Sequence, residues 1–331
     1  MRAVLHHRYG GPEGLELGEI PRPDPGPGEV LVEVHAASIN SADLRMMRAD
    51  PWLVRLDNGL TRPRKWPVLG SDFAGRVVAR GEGVESVALG AAVFGDATPD
   101  GRGSFADFVR VRASTVVPIP PGLRFVEAAA VPLAGVTALQ AVRDLAQVGP
   151  GQSVLVYGAG GGVGGFVVQL AKARGADVTA VCSAASRARV EGFGADLVLD
   201  YTSDGASEDF AARPERYDAI LAVNGHRRLR VYRDALKPGG RLVVVGGSNR
   251  QIFAGLLLAP LVFLGRGKSA RVLIVDEARL ADDLDELAVL LERGALRVAI
   301  DRVVALEQFA DAIRQVEGGH VGGKLVLELR T

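Results

Sequence analysis

The feature that most constrains the fold is an apolar strand pattern that runs directly into a cluster of glycines and then into a helix. It occupies residues 154–172, VLVYGAGGGVGGFVVQLAK. Glycines keep such a turn tight and let the backbone approach a pyrophosphate, while the helix N-terminus offers free N–H groups and a positive dipole end. Glycines alone would also suit an ordinary tight turn. The strand before them and the helix after them favour a dinucleotide site.

The glycine spacing leaves the register of this turn open. Two patterns fit, G-x-x-G-x-x-G at Gly158, Gly161 and Gly164 and G-x-G-x-x-G at Gly160, Gly162 and Gly165. Around the turn, from about residue 123 to 275, apolar strand patterns alternate with helical ones, and Ser269–Val275 is a candidate sixth strand. This alternation is typical of a doubly wound parallel sheet.

The end of the second strand indicates which dinucleotide is bound. Sites that prefer NAD usually carry an acidic residue there, about 20 residues after the glycines, to bind the ribose 2′-hydroxyl. Here the strand ends at Cys182 and Ser183, and Arg187 and Arg189 follow before any acid. A guanidinium beside a serine suits a 2′-phosphate, although both arginines could simply lie on a solvated helix face. We therefore predict NADPH.

The flanking regions have a different texture. Residues 1 to about 120 contain short β-branched runs separated by Gly and Pro, a pattern that predicts an antiparallel, partly closed sheet. After residue 277 come an amphipathic helix, a short strand near Ile300–Val304, a helix near Leu306–Val316 and a last strand. Three small elements cannot bury a core alone, so we expect this tail to fold onto the N-terminal region.

Composition excludes several classes of protein. Lys plus Arg equals Asp plus Glu at 39 each, so the net charge gives no reason to expect nucleic acid or an anionic membrane as a partner. The single cysteine, Cys182, excludes an internal disulfide and a multi-cysteine zinc site. The apolar run from Phe253 to Leu264 is broken by Gly255 and Pro260, and it predicts a buried helix or an interface. With no leader pattern, the expected compartment is the cytoplasm.

Several strings together resemble a known family. They include GPGEVLVEVHAASINSADLR, WPVLGSDFAGRVV, AAAVPLAGVTALQAV, the glycine segment and the closing GGKLVLEL. The chain resembles the zinc-independent quinone oxidoreductase branch of the medium-chain dehydrogenases/reductases over nearly its whole length. This implies an α/β protein with a GroES-like, partly closed β-barrel catalytic domain, residues 1–122 and 277–331, and a Rossmann domain, residues 123–276. It also implies a cofactor between the domains and a homodimer paired through the sixth Rossmann strand.

The resemblance also implies roles for individual residues. Positions that would contact NADPH are Thr137, Gly158, Gly161, Gly162, Val163, Ser183, Arg187, Tyr201, Gly246, Gly247 and Lys324. The string VNGHRR, residues 223–228, departs from the family's usual acid followed by glycines, which weakens any role for Asn224. Zinc-dependent relatives carry Cys, His and Cys where this chain has Asn40, Ser71 and about Leu133, so no metal is expected.

Without a metal, the expected chemistry is hydride transfer to an electron-poor small molecule, a quinone or an α,β-unsaturated carbonyl. Asn40 is the candidate catalytic residue because its amide can donate to a developing oxyanion. Ser71 could also contact the substrate, whereas Asp43 is expected to tie its loop down. Trp52 and Arg55 could line the substrate entrance, or Trp52 could only anchor its loop. Two alternatives remain: an enoyl or enone reductase of the same family, and a non-catalytic NADPH-binding redox sensor.

Overall fold

A computed structural model describes residues 1–65, 67–202, 210–319 and 321–330. The chain forms two compact units. The first contains Met1–Ala134, Glu277–Arg293 and Ile300–Thr331, and the second contains Gly135–Asp276 and Gly294–Ala299. The first boundary falls at residue 134, later than the residue 122 expected from the sequence, because the helix at Phe125–Ala128 packs on strands of the first unit.

Strands and helices are numbered here in chain order. The strands are β1 Arg2–His6, β2 Leu15–Glu19, β3 Glu29–Ile39, β4 Asp72–Arg80, β5 Ala92–Asp96, β6 Phe108–Arg112, β7 Val116–Pro118, β8 Ser153–Tyr157, β9 Asp177–Cys182, β10 Leu197–Asp200, β11 Tyr217–Val223, β12 Leu236–Val245, β13 Ser269–Val272, β14 Ile300–Ala305 and β15 Lys324–Glu328. The α-helices are α1 Ser41–Arg48, α2 Val54–Asn58, α3 Phe125–Ala128, α4 Pro132–Gln140, α5 Gly162–Ala173, α6 Arg187–Gly192, α7 Leu229–Ala235, α8 Asn249–Phe253, α9 Ala259–Phe263, α10 Leu280–Glu292 and α11 Phe309–Glu317.

The first unit is built on a seven-stranded sheet in the order β14-β15-β3-β4-β5-β7, with β6 paired to β3. All of its pairs are antiparallel except β14 with β15. The fully buried side chains of Val32, Phe73, Phe105 and Leu327 belong to its core. This is the GroES-like architecture expected from the sequence. The tail joins it through β14, β15 and α11, as predicted.

The second unit contains a six-stranded parallel sheet in the order β10-β9-β8-β11-β12-β13. Chain order reverses between β8 and β11, and ligands of such sheets bind outside the carboxyl ends of the strands at this switch point. Val154, Leu155 and Val156 of β8 are fully buried, as an apolar strand covered on both faces requires. The predicted doubly wound fold is confirmed, although β13 ends at Val272 rather than Val275.

The apolar run after β12 forms helical turns whose two faces differ. Gly255, Ala259 and Phe263 are buried against the unit, as the prediction of a buried helix requires. The opposite face is exposed, and its exposed leucines are Leu256, Leu257, Leu258, Leu261 and Leu264. The prediction of a buried helix therefore holds for one face only. Among the described residues, no helix has both the length and the apolar character needed to cross a membrane.

Candidate functional site

The turn after β8 has the geometry of a dinucleotide site. Gly158 has φ +78°, and a Cβ built there would lie 2.1 Å from the carbonyl oxygen of Val223. A Cβ on Gly164 would lie 2.1 Å from the carbonyl oxygen of Gly158, so the helix can pack this closely on the turn only without a side chain. A Cβ on Gly161 would meet no atom nearer than 3.7 Å. Gly158 therefore forms the tight turn, Gly164 allows the helix to pack on it, and Gly161 leaves space for a phosphate to approach. These are the roles expected of the first register, G-x-x-G-x-x-G.

Helix α5 begins immediately after the open position. Gly161 is its N-cap residue, and Gly162 and Val163 form its first turn. The N–H groups of a first helical turn have no partner within the helix and carry the positive end of the dipole, so they can bind a phosphate. The open space at Gly161 lies beside these donors. The residues present therefore fit the pyrophosphate of a nicotinamide dinucleotide.

The residues predicted to select the 2′-phosphate follow the ends of the neighbouring strands β9 and β10. Ser183 directly follows β9, and the backbone N–H of Tyr201, directly after β10, donates to the carbonyl oxygen of Cys182 at 3.2 Å. The guanidinium of Arg187 donates to the carbonyl oxygen of Val198 in β10 at 3.0 Å. Pairing of β9 with β10 thus brings Ser183 and Tyr201 to one edge of the sheet, and the Arg187 side chain is held against β10.

Arg189 behaves differently from Arg187. Its Nη2 donates to the carbonyl oxygen of Gly160 at 3.0 Å and to the hydroxyl of Ser186 at 3.0 Å. The sequence offered only two interpretations of this arginine, a phosphate contact or a solvated face. In the structure it fixes the conformation of the glycine turn itself.

The remaining predicted cofactor residues of this unit lie at two places. Gly246 and Gly247 follow β12 with φ +62° and +101°, and they lie beside Asn224, which follows β11 with φ +50°. These positions are therefore at the carboxyl edge of the sheet, beyond the switch point. Thr137 lies on α4 and is half-buried.

The first unit contains a buried polar network that we call the Asp72 cluster. Its members are Ser38, Asn40, Asp43, Ser71, Asp72, Asp96, Arg102 and Lys324. Asp72 is fully buried at the start of β4. One of its carboxylate oxygens accepts from Ser38 Oγ at 2.8 Å and Asn40 Nδ2 at 2.9 Å, and the other accepts from the backbone N–H of Leu133 at 2.8 Å.

Asn40 is held on both sides of its amide. Its Nδ2 donates to Asp72 at 2.9 Å and, in a longer contact of 3.4 Å, to the carbonyl oxygen of Ser38. Its Oδ1 accepts from the ammonium of Lys324, which also lies 3.4 Å from Asp72. An ammonium has three N–H donors, and these two contacts leave one. Lys324, which the sequence placed on the cofactor, is therefore a better hydrogen-bond donor for a ligand than Asn40.

Asp43 ties its loop down, as predicted. One oxygen accepts from the backbone N–H of Asn40 at 2.8 Å, and the other accepts from Ser71 Oγ at 2.9 Å. Arg102 donates to Ser71 Oγ at 2.6 Å and lies 3.4 Å from the Asp43 carboxylate. Burial raises the pKa of Asp43, and the Arg102 guanidinium opposes that shift. Ser71 is thus a fully buried link of this network.

Asp96 lies opposite Asp72 in the antiparallel β4–β5 pair. Burial, followed by the neighbouring charge of Asp72, raises the pKa of the Asp96 carboxyl to about 7. The backbone N–H of Thr98 donates to it at 2.8 Å. Sequence reasoning missed Asp72, Asp96 and Arg102. The sequence did contain a signal for this cluster, since Asp72 and Asp96 stand at the ends of otherwise apolar strands. A carboxylate that is buried there requires polar partners.

These residues do not fit a zinc ion. Asn40 and Ser71 carry an amide and a hydroxyl, and Leu133 contributes a backbone N–H donor to Asp72. The cation beside Asn40 and Asp72 is the Lys324 ammonium. Among the described residues, no three His, Cys, Asp or Glu side chains are grouped so that they could hold a metal ion. Zn²⁺ sites need thiolates, imidazoles or carboxylates, and the carboxylates of Asp72 and Asp43 already lie beside the cations of Lys324 and Arg102.

The two candidate residues of the substrate entrance are Trp52 and Arg55. Trp52 is 63% exposed, so it does not anchor its loop by burial. The guanidinium of Arg55 lies 4.8 Å from the ring centroid of Tyr9 and donates to the carbonyl oxygen of Leu60 at 3.5 Å. Arg55 therefore holds the local loop, and no contact in the described residues joins either side chain to Asn40.

Comparison with known proteins decides the family. The alcohol dehydrogenase GroES-like domain family matches residues 26–121, and the zinc-binding dehydrogenase family matches residues 193–327. The chloroplastic quinone-oxidoreductase QR1 of Triphysaria versicolor is 30% identical over 338 residues, covering 99% of this chain and 98% of that protein. The chain belongs to the quinone oxidoreductase branch of the medium-chain dehydrogenase/reductase superfamily.

Solved structures agree with this assignment. The quinone oxidoreductase from Coxiella burnetii superposes with a TM-score of 0.86 at 31% identity, covering 100% of this chain and 99% of that one. Mycobacterial Rv1454c in complex with NADPH superposes with a TM-score of 0.82 at 25% identity, covering 99% and 100%. This quinone oxidoreductase homologue is therefore an oxidoreductase with a nicotinamide cofactor.

Proposed function

We propose that the chain is an NADPH-dependent reductase that delivers hydride to a quinone or an α,β-unsaturated carbonyl without a metal. The observation that carries the proposal is the Asp72 cluster, in which the Lys324 ammonium contacts Asp72 and Asn40, and the resemblance aligns Asn40 with the first zinc ligand of zinc-dependent relatives. Bound NADPH supplies the hydride. The residues of this chain have to bind the cofactor, orient the acceptor and stabilise the charge that develops on its oxygen.

The preference for the phosphorylated cofactor is supported by the end of β9. Cys182 and Ser183 stand where an acidic side chain would bind a ribose 2′-hydroxyl, and Arg187 offers a guanidinium half exposed to solvent. A carboxylate at that point would repel a 2′-phosphate, whereas a guanidinium can bind it with charge-assisted hydrogen bonds. We propose that Ser183, Arg187 and Tyr201 hold that group.

We propose that Lys324 stabilises the developing oxyanion. The Lys324 residue is only 4% exposed, and its ammonium contacts Asn40 and Asp72, which fix its position. A buried cation interacts strongly with a nearby negative charge, because little water screens it. Asn40, whose amide nitrogen donates to Asp72, then serves the reaction by orienting Lys324. Ser71 acts indirectly, because it donates to Asp43, which in turn accepts from the backbone N–H of Asn40. We propose Trp52 and Arg55 for the substrate entrance.

We also propose that the chain forms a homodimer through the free edge of β13 and works in the cytoplasm. β13 is the last strand of its sheet, and Ile274 and Leu264 near it are 78% and 76% exposed. An unpaired strand edge with exposed apolar neighbours is suited to pairing with a second copy. Sedimentation of the purified chain tests this proposal, and a monomer at all concentrations would refute it.

The test of the reductase is oxidation of NADPH by the purified chain, with NADH in parallel. The acceptors are a soluble quinone, a cyclic enone and an enoyl thioester. Turnover with NADPH on any of the three acceptors supports the proposal. The acceptor that is reduced then decides the substrate class, and turnover only with the enoyl thioester narrows the α,β-unsaturated carbonyl to an enoyl thioester. Tight NADPH binding with no turnover on any acceptor would instead identify a redox sensor.

A further inference from the structure

Charge is unevenly distributed along this neutral chain. Residues 219–275 contain ten arginines and lysines and one acidic residue, Asp234, a net charge of +9. The whole-chain balance therefore conceals a strongly basic stretch. Asp234 is bound by Arg233 at 2.7 Å, and Lys237 and Lys268 pair with acids outside the stretch. The basic residues that remain are concentrated around one cavity.

This cavity has a volume of about 570 Å³ and lies between α7 and the turns of α8 and α9. Such a volume is sufficient for a small-molecule ligand. Arg228, Arg230 and Arg250 line it and are exposed. Within the described parts of the chain, none of these three arginines forms an ion pair. Guanidinium groups without carboxylate partners are suited to binding a phosphate-like anion.

The cavity also has apolar lining residues. They are Leu229, Ala254, Leu258 and Val262. Leu258 is 51% exposed, and the exposed Leu257 and Leu261 lie on the same helical turns. Apolar and cationic residues that line one cavity suit a molecule with an anionic head and an aliphatic chain.

The cavity is separate from the places that fit the cofactor's phosphates. Those places follow β8, β9 and β10, whereas the cavity is lined by segments that follow β11 and β12, on the other side of the switch point. The segment at residues 223–228 is also where the sequence departs from the family's usual string. A second copy of this face is a poor occupant of the cavity, because it would bring like charges together.

We propose that this cavity binds one molecule of a phosphate-headed aliphatic amphiphile, with the phosphate on Arg228, Arg230 and Arg250 and the chain against Leu229 and Leu258. The same chemistry is present in an anionic membrane lipid and in a free alkyl or acyl phosphate. None of the residues that line this cavity is among those assigned above to the cofactor or to the acceptor.

The test is calorimetric titration of the full chain with dodecyl phosphate below its micelle concentration. We expect one molecule bound per chain, with inorganic phosphate and dodecyl trimethylammonium binding at least tenfold more weakly. Across octyl, decyl and dodecyl phosphate, affinity should rise by up to about fourfold per methylene group. Absence of saturable dodecyl phosphate binding, or affinity independent of chain length, would overturn the proposal.

Two matched variants locate the site. Arg228→Gln/Arg230→Gln removes two charges that line the cavity and should weaken dodecyl phosphate binding by about 10- to 100-fold. Arg293→Gln/Arg302→Gln removes the same charge from exposed positions of the first unit and should change binding less than twofold. Equal losses in both variants would mean general charge attraction. Binding to phosphatidylglycerol vesicles without binding to monomeric dodecyl phosphate would assign the face to membranes and reject the cavity.

Discussion

The Lys324 ammonium donates to the amide oxygen of Asn40 across 284 positions of sequence. The same ammonium lies beside Asp72, which is fully buried. One short contact therefore links the last strand of the first unit to the loop that begins α1. The position of Lys324 depends on both partners, and this makes it the most informative residue to change.

Lys324→Met should lower kcat for reduction of the acceptor by about 100- to 1000-fold, because it removes the charge proposed to stabilise the oxyanion. It should also destabilise the fold by about 3–5 kcal/mol, since Asp72 loses its buried cation. Lys324→Arg keeps the charge and should recover part of both losses. Kd for NADPH, measured by fluorescence titration, should stay within about threefold. A rise in Kd that equals the loss of activity would show instead that Lys324 binds the cofactor, as the resemblance implied.

Gly161→Val should abolish NADPH binding and leave the fold intact. The space outside Gly161 is open, so the new side chain would occupy the pyrophosphate's place without a clash. Gly158→Val is the contrasting variant, because φ +78° and the nearby Val223 carbonyl leave no room for a side chain. It should unfold at a lower temperature. Normal NADPH binding by a folded Gly161→Val variant would show that the register of the turn is wrong.

Arg187→Ala should weaken NADPH by about tenfold or more and leave NADH almost unchanged, because only NADPH carries the 2′-phosphate. Arg189→Ala is the matched control. Its guanidinium binds the Gly160 carbonyl oxygen, so its loss should disturb the turn and weaken both cofactors alike. Kd values for both cofactors give the two ratios. An unchanged NADPH-to-NADH ratio in Arg187→Ala would remove Arg187 from the site.

Asp96→Asn should make stability less dependent on pH. The pKa of the Asp96 carboxyl is raised to about 7 in the fold, from 3.8. The folded state therefore holds this proton more tightly, and its stability falls as pH rises from about 4 to about 7. Asparagine removes that cost, so the variant should gain stability relative to the parent above about pH 7, by at most about 4 kcal/mol. Denaturant unfolding at about pH 5 and pH 8 measures the difference.

The control for this pH effect is Asp57→Asn. Asp57 is exposed and pairs with Lys65, so its substitution should shift stability by a similar small amount at both pH values. If Asp96→Asn is equally destabilising at both pH values, then Asp96 is ionised throughout and its buried charge is stabilised by the cluster.

The sequence predicted the second unit better than the buried network of the first. The glycine turn is a local signal, since β8, the turn and α5 are contiguous, and its three glycines show the roles that the pattern indicates. The Asp72 cluster is assembled from positions between Ser38 and Lys324, and no local spacing connects them. Asn40 and Lys324 were recognised only through a resemblance, so the contact between them and the role of Asp72 could not be foreseen.

The place of β15 in the first sheet has a consequence for how the chain folds as it is synthesised. Residues 324–328 pair with β3 on one side and β14 on the other. During synthesis on the ribosome, β3 therefore lacks its partner β15 until the whole second unit has been translated. Residues 135–276 can complete their parallel sheet during translation, since domains fold as units. The first unit closes later, and its open strand edge is a point of vulnerability to aggregation or chaperone capture in the nascent chain.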